Sequence, residues 1–298
     1  MRIGSTEIVD TFAEAFGMRY TRLIVTAHDP HWLQAATNEL CGYGSSVIAC
    51  DAEVGIERML SAQESPDGRP AASILAFGFS ADALAKAVTN RVGQCVMTCP
   101  STAVFDGLPH SEERFPLGKQ LRYFGDGFQK SKQIADVRYW RIPVMDGEFW
   151  CVESLGIEKG VAGGNIIIQA SDQAVALDAA RRGVEAIAPL SGSITPFPGG
   201  VARSGSKVGS RYPSLRASTS DAYCPTLRSR TESKLVDDVQ CVLEIVIDGA
   251  TESDVAEAMR LATLASAGDG VLAITAGNYG GMLGKFHLHL HELLANSR

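Results

Sequence analysis

The chain has 298 residues, 45% of them hydrophobic and 20% charged, with a mean hydropathy of +0.04. That is a globular composition of one large or two ordinary domains, and it excludes a wholly disordered chain. Basic residues number 27 and acidic ones 34, a net charge of −7, which argues against a nucleic-acid binder because phosphate contact needs a basic surface.

The start, Met1 to Phe12, carries Glu7 and Asp10 and lacks an apolar signal core. No uncharged run reaches about 18 apolar residues, so no membrane span is expected. Seven cysteines lie scattered at positions 41, 50, 95, 99, 151, 224 and 241. This sparse, odd set reads as reduced thiols in a cytoplasmic protein.

In chain order, Arg22–Thr26 is a β-rich run, residues 30–40 have helical character, and Ser46–Cys50 reads as a strand. Residues 72–77 repeat the strand signal, 80–92 form an Ala-rich helix, and Cys95–Thr98 reads as a strand. Arg138–Val144 is the last strand of the first half. Asn165–Ala170 opens the second half, and residues 171–188 form a helix with Leu177, Val184 and Ile187 on one face. Residues 239–248 are the strongest strand. Thr251 is an N-cap with Asp254 in the capping-box position, and Val255, Ala258, Met259 and Ala262 make one apolar stripe. Residues 271–276 and 286–290 supply the final strands.

Each half thus holds two strand–helix–strand units. The expected fold is α+β: two ferredoxin-like, split-βαβ lobes arising by duplication, their antiparallel sheets covered by helices. A doubly wound parallel sheet is the competing arrangement. The boundary is placed near residue 150, giving lobes 1–149 and 150–298. The likeness of Ala162-Gly-Gly-Asn165 to Ala276-Gly-Asn278 supports duplication.

Between Gly192 and Val236 the periodicity disappears. Structureless stretches this long inside compact domains are uncommon and usually functional. From Val201 to Val236 there are seven basic residues (Arg203, Lys207, Arg211, Arg216, Arg228, Arg230, Lys234) against Asp221 and Glu232, a local anion attractor on an acidic chain. A solvated loop or an oligomer contact is the alternative.

Gly200-Val-Ala-Arg-Ser-Gly205-Ser-Lys207 nearly spells a phosphate-binding loop, but the lysine is one position late. No dinucleotide fingerprint or nucleophile elbow is present. His287, His289 and His291 alternate as on one strand and could bind a metal, although a half-exposed terminal strand with Leu288 and Leu290 turned inward is favoured. Cys224, in Asp221-Ala-Tyr-Cys-Pro225, is a candidate thiol nucleophile without a histidine near it in sequence. Glu244 is the most informative charge, alone in an apolar strand from Val239 to Ile247. Under a covered sheet it is a desolvated acid with a raised pKa; otherwise Val242, Glu244 and Val246 line an exposed face.

Many segments jointly resemble the formylmethanofuran–tetrahydromethanopterin formyltransferase family along the whole chain. They include Asp10-Thr-Phe-Ala-Glu-Ala-Phe16, Ser65-Pro-Asp-Gly-Arg-Pro70, Arg91-Val-Gly-Gln-Cys-Val-Met-Thr98, Phe124-Gly-Asp-Gly127 and Gly160-Val-Ala-Gly-Gly-Asn165. Pro196-Phe-Pro-Gly-Gly200, Ser206-Lys-Val-Gly-Ser210, Ala217-Ser-Thr-Ser-Asp-Ala-Tyr-Cys-Pro225, Ala276-Gly-Asn-Tyr-Gly-Gly281 and His287-Leu-His289 complete the set. The resemblance implies a homo-oligomer, often a tetramer, and reversible formyl transfer between methanofuran and N5 of tetrahydromethanopterin. Both carriers would be substrates, with no tightly bound cofactor and no metal. The mild acidity looks more like the bacterial type, a subunit of a formyltransferase/hydrolase complex. A catalytically silent scaffold subunit of that complex is the alternative.

The resemblance carries a catalytic glutamate onto Glu244. The 199–223 loop would then supply carrier contacts from Gly199, Gly200, Ser206, Lys207, Ser210, Ser218, Thr219, Asp221 and Tyr223. Asn165 and Asn278, each beside glycine, are expected either to recognise a carbonyl or to shape a turn.

Overall fold

The computed structural model describes residues 1–295. It divides into two compact lobes, an N-terminal one of Met18–Gly160 and a C-terminal one of Met1–Gly17 with the chain from Val161 onward. Among the described residues no helix is long and apolar enough to cross a membrane.

In the N-terminal lobe, strands Glu53–Leu60, Ala71–Gly78, Phe12–Thr26 and Ala103–Asp106 pair antiparallel in that spatial order. Helices Pro30–Cys41 and Ala81–Arg91 connect them, which makes the split-βαβ order of a ferredoxin-like sheet. Strand Gly147–Val152 extends the sheet by parallel pairing with Ala103–Asp106, and Val137–Val144 follows it antiparallel. Leu33, Leu40, Leu84 and Val88 from the two helices pack on Leu23, Val25, Ile74 and Val104 of the sheet.

The C-terminal lobe repeats the order. Strands Ser193–Ile194, Cys241–Gly249, Ser154–Ala170 and Val271–Thr275 lie side by side, antiparallel, with Thr6–Ile8 added in parallel at the outer edge. Helices Gln173–Ile187 and Glu252–Ser266 pack through small residues, Ala176, Ala179, Ala180, Ala258 and Ala262, onto Ile166, Ile168, Ile245 and Ile247. At Gly183 a Cβ would lie 2.4 Å from the Ser266 hydroxyl and 2.7 Å from Ile245, so only glycine permits this close approach. All four main helices start on a capping side chain: Asp29, Ser80, Asp172 and Thr251, the last with Asp254 in a reciprocal capping box. Each such cap is worth about 1 kcal/mol.

The α+β class and the duplicated lobes therefore agree with the sequence reading, whereas several details differ. The first 17 residues leave the N-terminal half because Glu7 and Ile8 pair with Ala273 and Ile274, while residues 12–15 pair with 286–289. The division between the two compact lobes thus falls inside two long strands, Phe12–Thr26 and Ser154–Ala170. Ser46–Cys50 forms turns, and the strand is Glu53–Leu60, disguised in sequence by Gly55, Glu57 and Arg58. Cys95–Thr98 is not a strand either, because the preceding helix runs on through a π turn at Val92–Val96 and the strand begins at Ala103. Leu177 points outward, 49% exposed, and alanines take the buried face of its helix. His287 and His289 share the strand Phe286–His289, both against Phe12, but the strand ends there. His291 lies in the next helix and bonds to the Ile8 carbonyl.

Candidate active site

Alternation along Cys241–Gly249 sends Leu243, Ile245 and Ile247 into the helix-covered core and Val242, Glu244 and Val246 to the opposite face. The register places Glu244 beside Ile167, and Ile167 beside Thr275, in one cross-strand row. Residues 195–240, the excursion between the lobe's second and third strands, cover this face. The excursion is tied down at its start by an antiparallel bridge: the Ala202 N–H donates to the Glu244 carbonyl at 2.8 Å, and the Glu244 N–H to the Ala202 carbonyl at 2.9 Å. Farther along, the Val236 N–H donates to Gln169 Oε1 at 3.0 Å.

The sheet face and the excursion enclose a cavity of about 280 Å³. Glu244, Ile167 and Asn165 lie along its floor, residues 202–207 and 219–224 form walls, and Gly277, Asn278 and Tyr279 contribute a further edge. Gly205 leaves room for the acid, since a Cβ there would sit 3.0 Å from Glu244 Oε2. The Ser220 N–H donates to the Gly205 carbonyl at 2.8 Å, fixing one wall against the other.

Burial pushes the Glu244 carboxyl up to about 7. Among the described residues no cation pairs with it, so desolvation is not offset. Two phenols flank the same space. Tyr223, which shares a hydrogen bond with Thr275, is raised first by burial and then by the Glu244 charge. Tyr279 is raised by burial, by Glu244 and by Glu14. A carboxyl group poised near neutral pH on the floor of a cleft can both give and take a proton there.

The other expected site residues fall into three sets. Ser206, Lys207, Thr219, Asp221 and Tyr223 line the cavity. Lys207 and Asp221 form an ion pair at 2.5 Å, and this bond to Lys207 holds the Asp221 carboxyl below its ordinary range. Asn165 and Asn278 also reach the cavity, yet their side chains are engaged with the chain itself. Asn165 accepts from the Gly277 N–H at 2.6 Å and donates to the Gly163 and Gly277 carbonyls. Asn278 donates to Thr11 and to the Phe12 carbonyl, and accepts from the Gly280 N–H. Both bond to the turn, one of the two roles expected of them, while they also line the cavity.

Gly199, Gly200, Ser210 and Ser218 lie off the cavity. The two glycines sit at positive φ in a 3₁₀ turn, Gly200 against Val184 and Thr195. Ser210 accepts from the Tyr212 N–H at 3.0 Å, and Ser218 donates to the Gly209 carbonyl at 2.7 Å. Both serve the hairpin of Ser206–Val208 with Ala217–Thr219.

Cys224 lines the cavity, its thiol bonded to the Ser220 carbonyl at 3.4 Å, and no histidine is among the lining residues described. Sequence reasoning missed Gly205, Lys234 and Tyr279 as lining residues. Tyr279 had a signal, an aromatic inside Gly277-Asn-Tyr-Gly-Gly281, but nothing in the sequence tied that turn to Glu244.

The family model described as "Formylmethanofuran-tetrahydromethanopterin formyltransferase" matches residues 1–144, and its companion "FTR, proximal lobe" matches residues 147–293. The chain is 52% identical to a formylmethanofuran–tetrahydromethanopterin formyltransferase of Methylococcus capsulatus, over 99% of this chain and 100% of that one. Its fold superposes with a TM-score of 0.95 on a chain of the formyltransferase/hydrolase complex from Methylorubrum extorquens, a structure in complex with methylofuran. That match is 47% identical and covers 99% of this chain and 98% of the other. A formyltransferase from Methanosarcina barkeri superposes with a TM-score of 0.94 at 43% identity, covering 98% and 100% respectively. The chain belongs to the formylmethanofuran–tetrahydromethanopterin formyltransferase family.

Proposed function

We propose that this protein transfers a formyl group, reversibly, between the amine of methanofuran and N5 of tetrahydromethanopterin, with Glu244 moving the proton. One observation carries this reading: in a member of this family, a carboxyl group raised to about 7 by burial stands on the floor of a cleft. The attacking amine adds to the formyl carbon, and the carbonyl π electrons move onto oxygen. The tetrahedral intermediate then carries an oxyanion and an ammonium. Protonated Glu244 gives its proton to the departing nitrogen as the old C–N bond breaks. The resulting carboxylate takes a proton from the attacking nitrogen and is restored. Two carriers side by side gain proximity, and the covering excursion limits water that would divert the intermediate to formate.

Lys207, Arg203 and Lys234 lie at the cavity and suit carriers with anionic tails. Both carriers act as substrates rather than resident cofactors. The relative from Methylorubrum extorquens supports assembly with the other subunits of a formyltransferase/hydrolase complex; a cytoplasmic location rests on the sparse, unpaired cysteines. Homotetramer formation is part of the same proposal and rests on family resemblance.

The test is formyl transfer by the purified chain with both carriers. Wild-type protein is expected to turn over, and Glu244→Gln to fold normally with kcat reduced about 10²–10⁴-fold. A wild-type chain without activity would favour a silent scaffold subunit. Near-normal kcat in Glu244→Gln would remove Glu244 from the chemistry. Unchanged activity after alkylation of Cys224 is the expected control.

A further inference from the structure

Glu14 has no place in the proton transfer, yet its carboxylate accepts four backbone N–H groups. It is 1% exposed, on the strand Phe12–Thr26 opposite His287. Its Oε2 accepts the N–H groups of Tyr279 at 2.7 Å and Gly281 at 2.8 Å, and its Oε1 those of Leu283 at 2.5 Å and Gly284 at 2.6 Å. Its own N–H donates to the Gly277 carbonyl at 3.2 Å. Gly280 and Gly281, at φ +71° and +74°, curl the chain so that successive N–H groups converge on one anion. Gly284 must be glycine, because a Cβ there would meet the Ala15 carbonyl at 2.4 Å. Burial opposes the charge, but the four N–H bonds outweigh it, and the carboxyl lies below its ordinary range.

The wrapped segment is not remote. Gly277, Asn278 and Tyr279 belong to the cavity edge, and the Tyr279 phenol stands in the field of both Glu244 and Glu14. Phe16, two residues on from Glu14, holds its ring 6.2 Å from the Tyr279 ring, centroid to centroid.

We propose that Glu14 is a positioning residue for the reaction: its carboxylate folds the 276–284 segment around itself and thereby sets Tyr279 against Glu244 in the cavity. The assignment rests on the formyl-transfer reading above. It makes the segment's shape depend on a negative charge rather than on apolar contacts, as the exposure of Met282 (83%) and Leu283 (52%) fits. An amide in place of the carboxylate would turn an NH₂ group toward two of the four donors and release them.

The test is a double-mutant cycle. Glu14→Gln and Tyr279→Ala are each expected to lower kcat about 10–100-fold, and the double variant to be no worse than the poorer single one. Amide exchange of residues 279–284 should accelerate in Glu14→Gln. Losses that multiply in the double variant, or wild-type kcat in a Glu14→Gln protein that melts early, would reduce Glu14 to a structural role. Should Glu14→Gln fail to fold, Gly281→Ala strains one donor without touching the charge, and the same non-additivity with Tyr279→Ala is expected. An inactive wild-type chain would overturn the functional reading instead. The clamp then stands or falls on amide exchange, and unchanged exchange in Glu14→Gln overturns it.

Discussion

In the N-terminal lobe the buried Glu57 sits 2.8 Å from both Arg22 Nε and Arg22 Nη2 and accepts from the Ser73 hydroxyl at 2.5 Å. In the C-terminal lobe, built on the same strand order, Glu244 meets a cavity and two phenols instead of a cation. The first carboxylate is a structural anion and the second a group that can exchange a proton near neutral pH. Desolvation acts on both, the buried Glu57 and the partly buried Glu244; the partner decides the outcome. Glu14 adds a third solution, an anion ligated by backbone N–H groups.

Removing the partner should break the N-terminal arrangement most severely. Arg22→Ala leaves Glu57 buried without its cation and is expected to cost about 3–4 kcal/mol of stability, measured by denaturant unfolding. A loss below about 1 kcal/mol would mean that Ser73 and water compensate.

Glu244→Gln should act in the opposite sense, and only at higher pH. The folded chain holds the Glu244 proton up to about 7, above the ordinary 4.5 of a free glutamate. Below pH 4.5 both states are protonated and the group is neutral in effect. Between 4.5 and 7 the unfolded chain ionises first, so wild-type stability falls; above 7 the penalty is constant. The variant escapes it and should gain up to about 3 kcal/mol over wild type at pH 8 relative to pH 4. A pH-independent difference would contradict a desolvated acid.

The same titration sharpens the kinetic side. Where the protonated carboxyl is the required donor, kcat should fall about tenfold per pH unit above roughly 7. A limb near 4.5 would mean that bound carriers leave Glu244 hydrated. The smallest effect is expected at Lys207, which is exposed and paired with Asp221. Lys207→Ala should raise KM for an acidic-tailed carrier a few-fold, more at low salt, with kcat little changed.

Much of this was legible in the sequence because alternation and capping are local. A lone charge in Val239–Ile247 marked Glu244, and Thr251 with Asp254 marked the start of its helix. Whether the Glu244 face is covered was not legible, because the cover, residues 195–240, has no period to read. Short apolar runs misled where tertiary context won: Ser46–Cys50 turns, and Val92–Val96 prolongs a helix. Glu14 was invisible as anything special, since its ligands are N–H groups more than 260 positions away.

The two lobes close their sheets over connections of very different length, residues 61–70 in one and residues 195–240 in the other. Chain-closure entropy grows only with the logarithm of length, so lengthening that single link costs the lobe about 1.4 kcal/mol. A duplicated scaffold can thus acquire a cavity by extending one surface link, leaving both layers of packed secondary structure untouched.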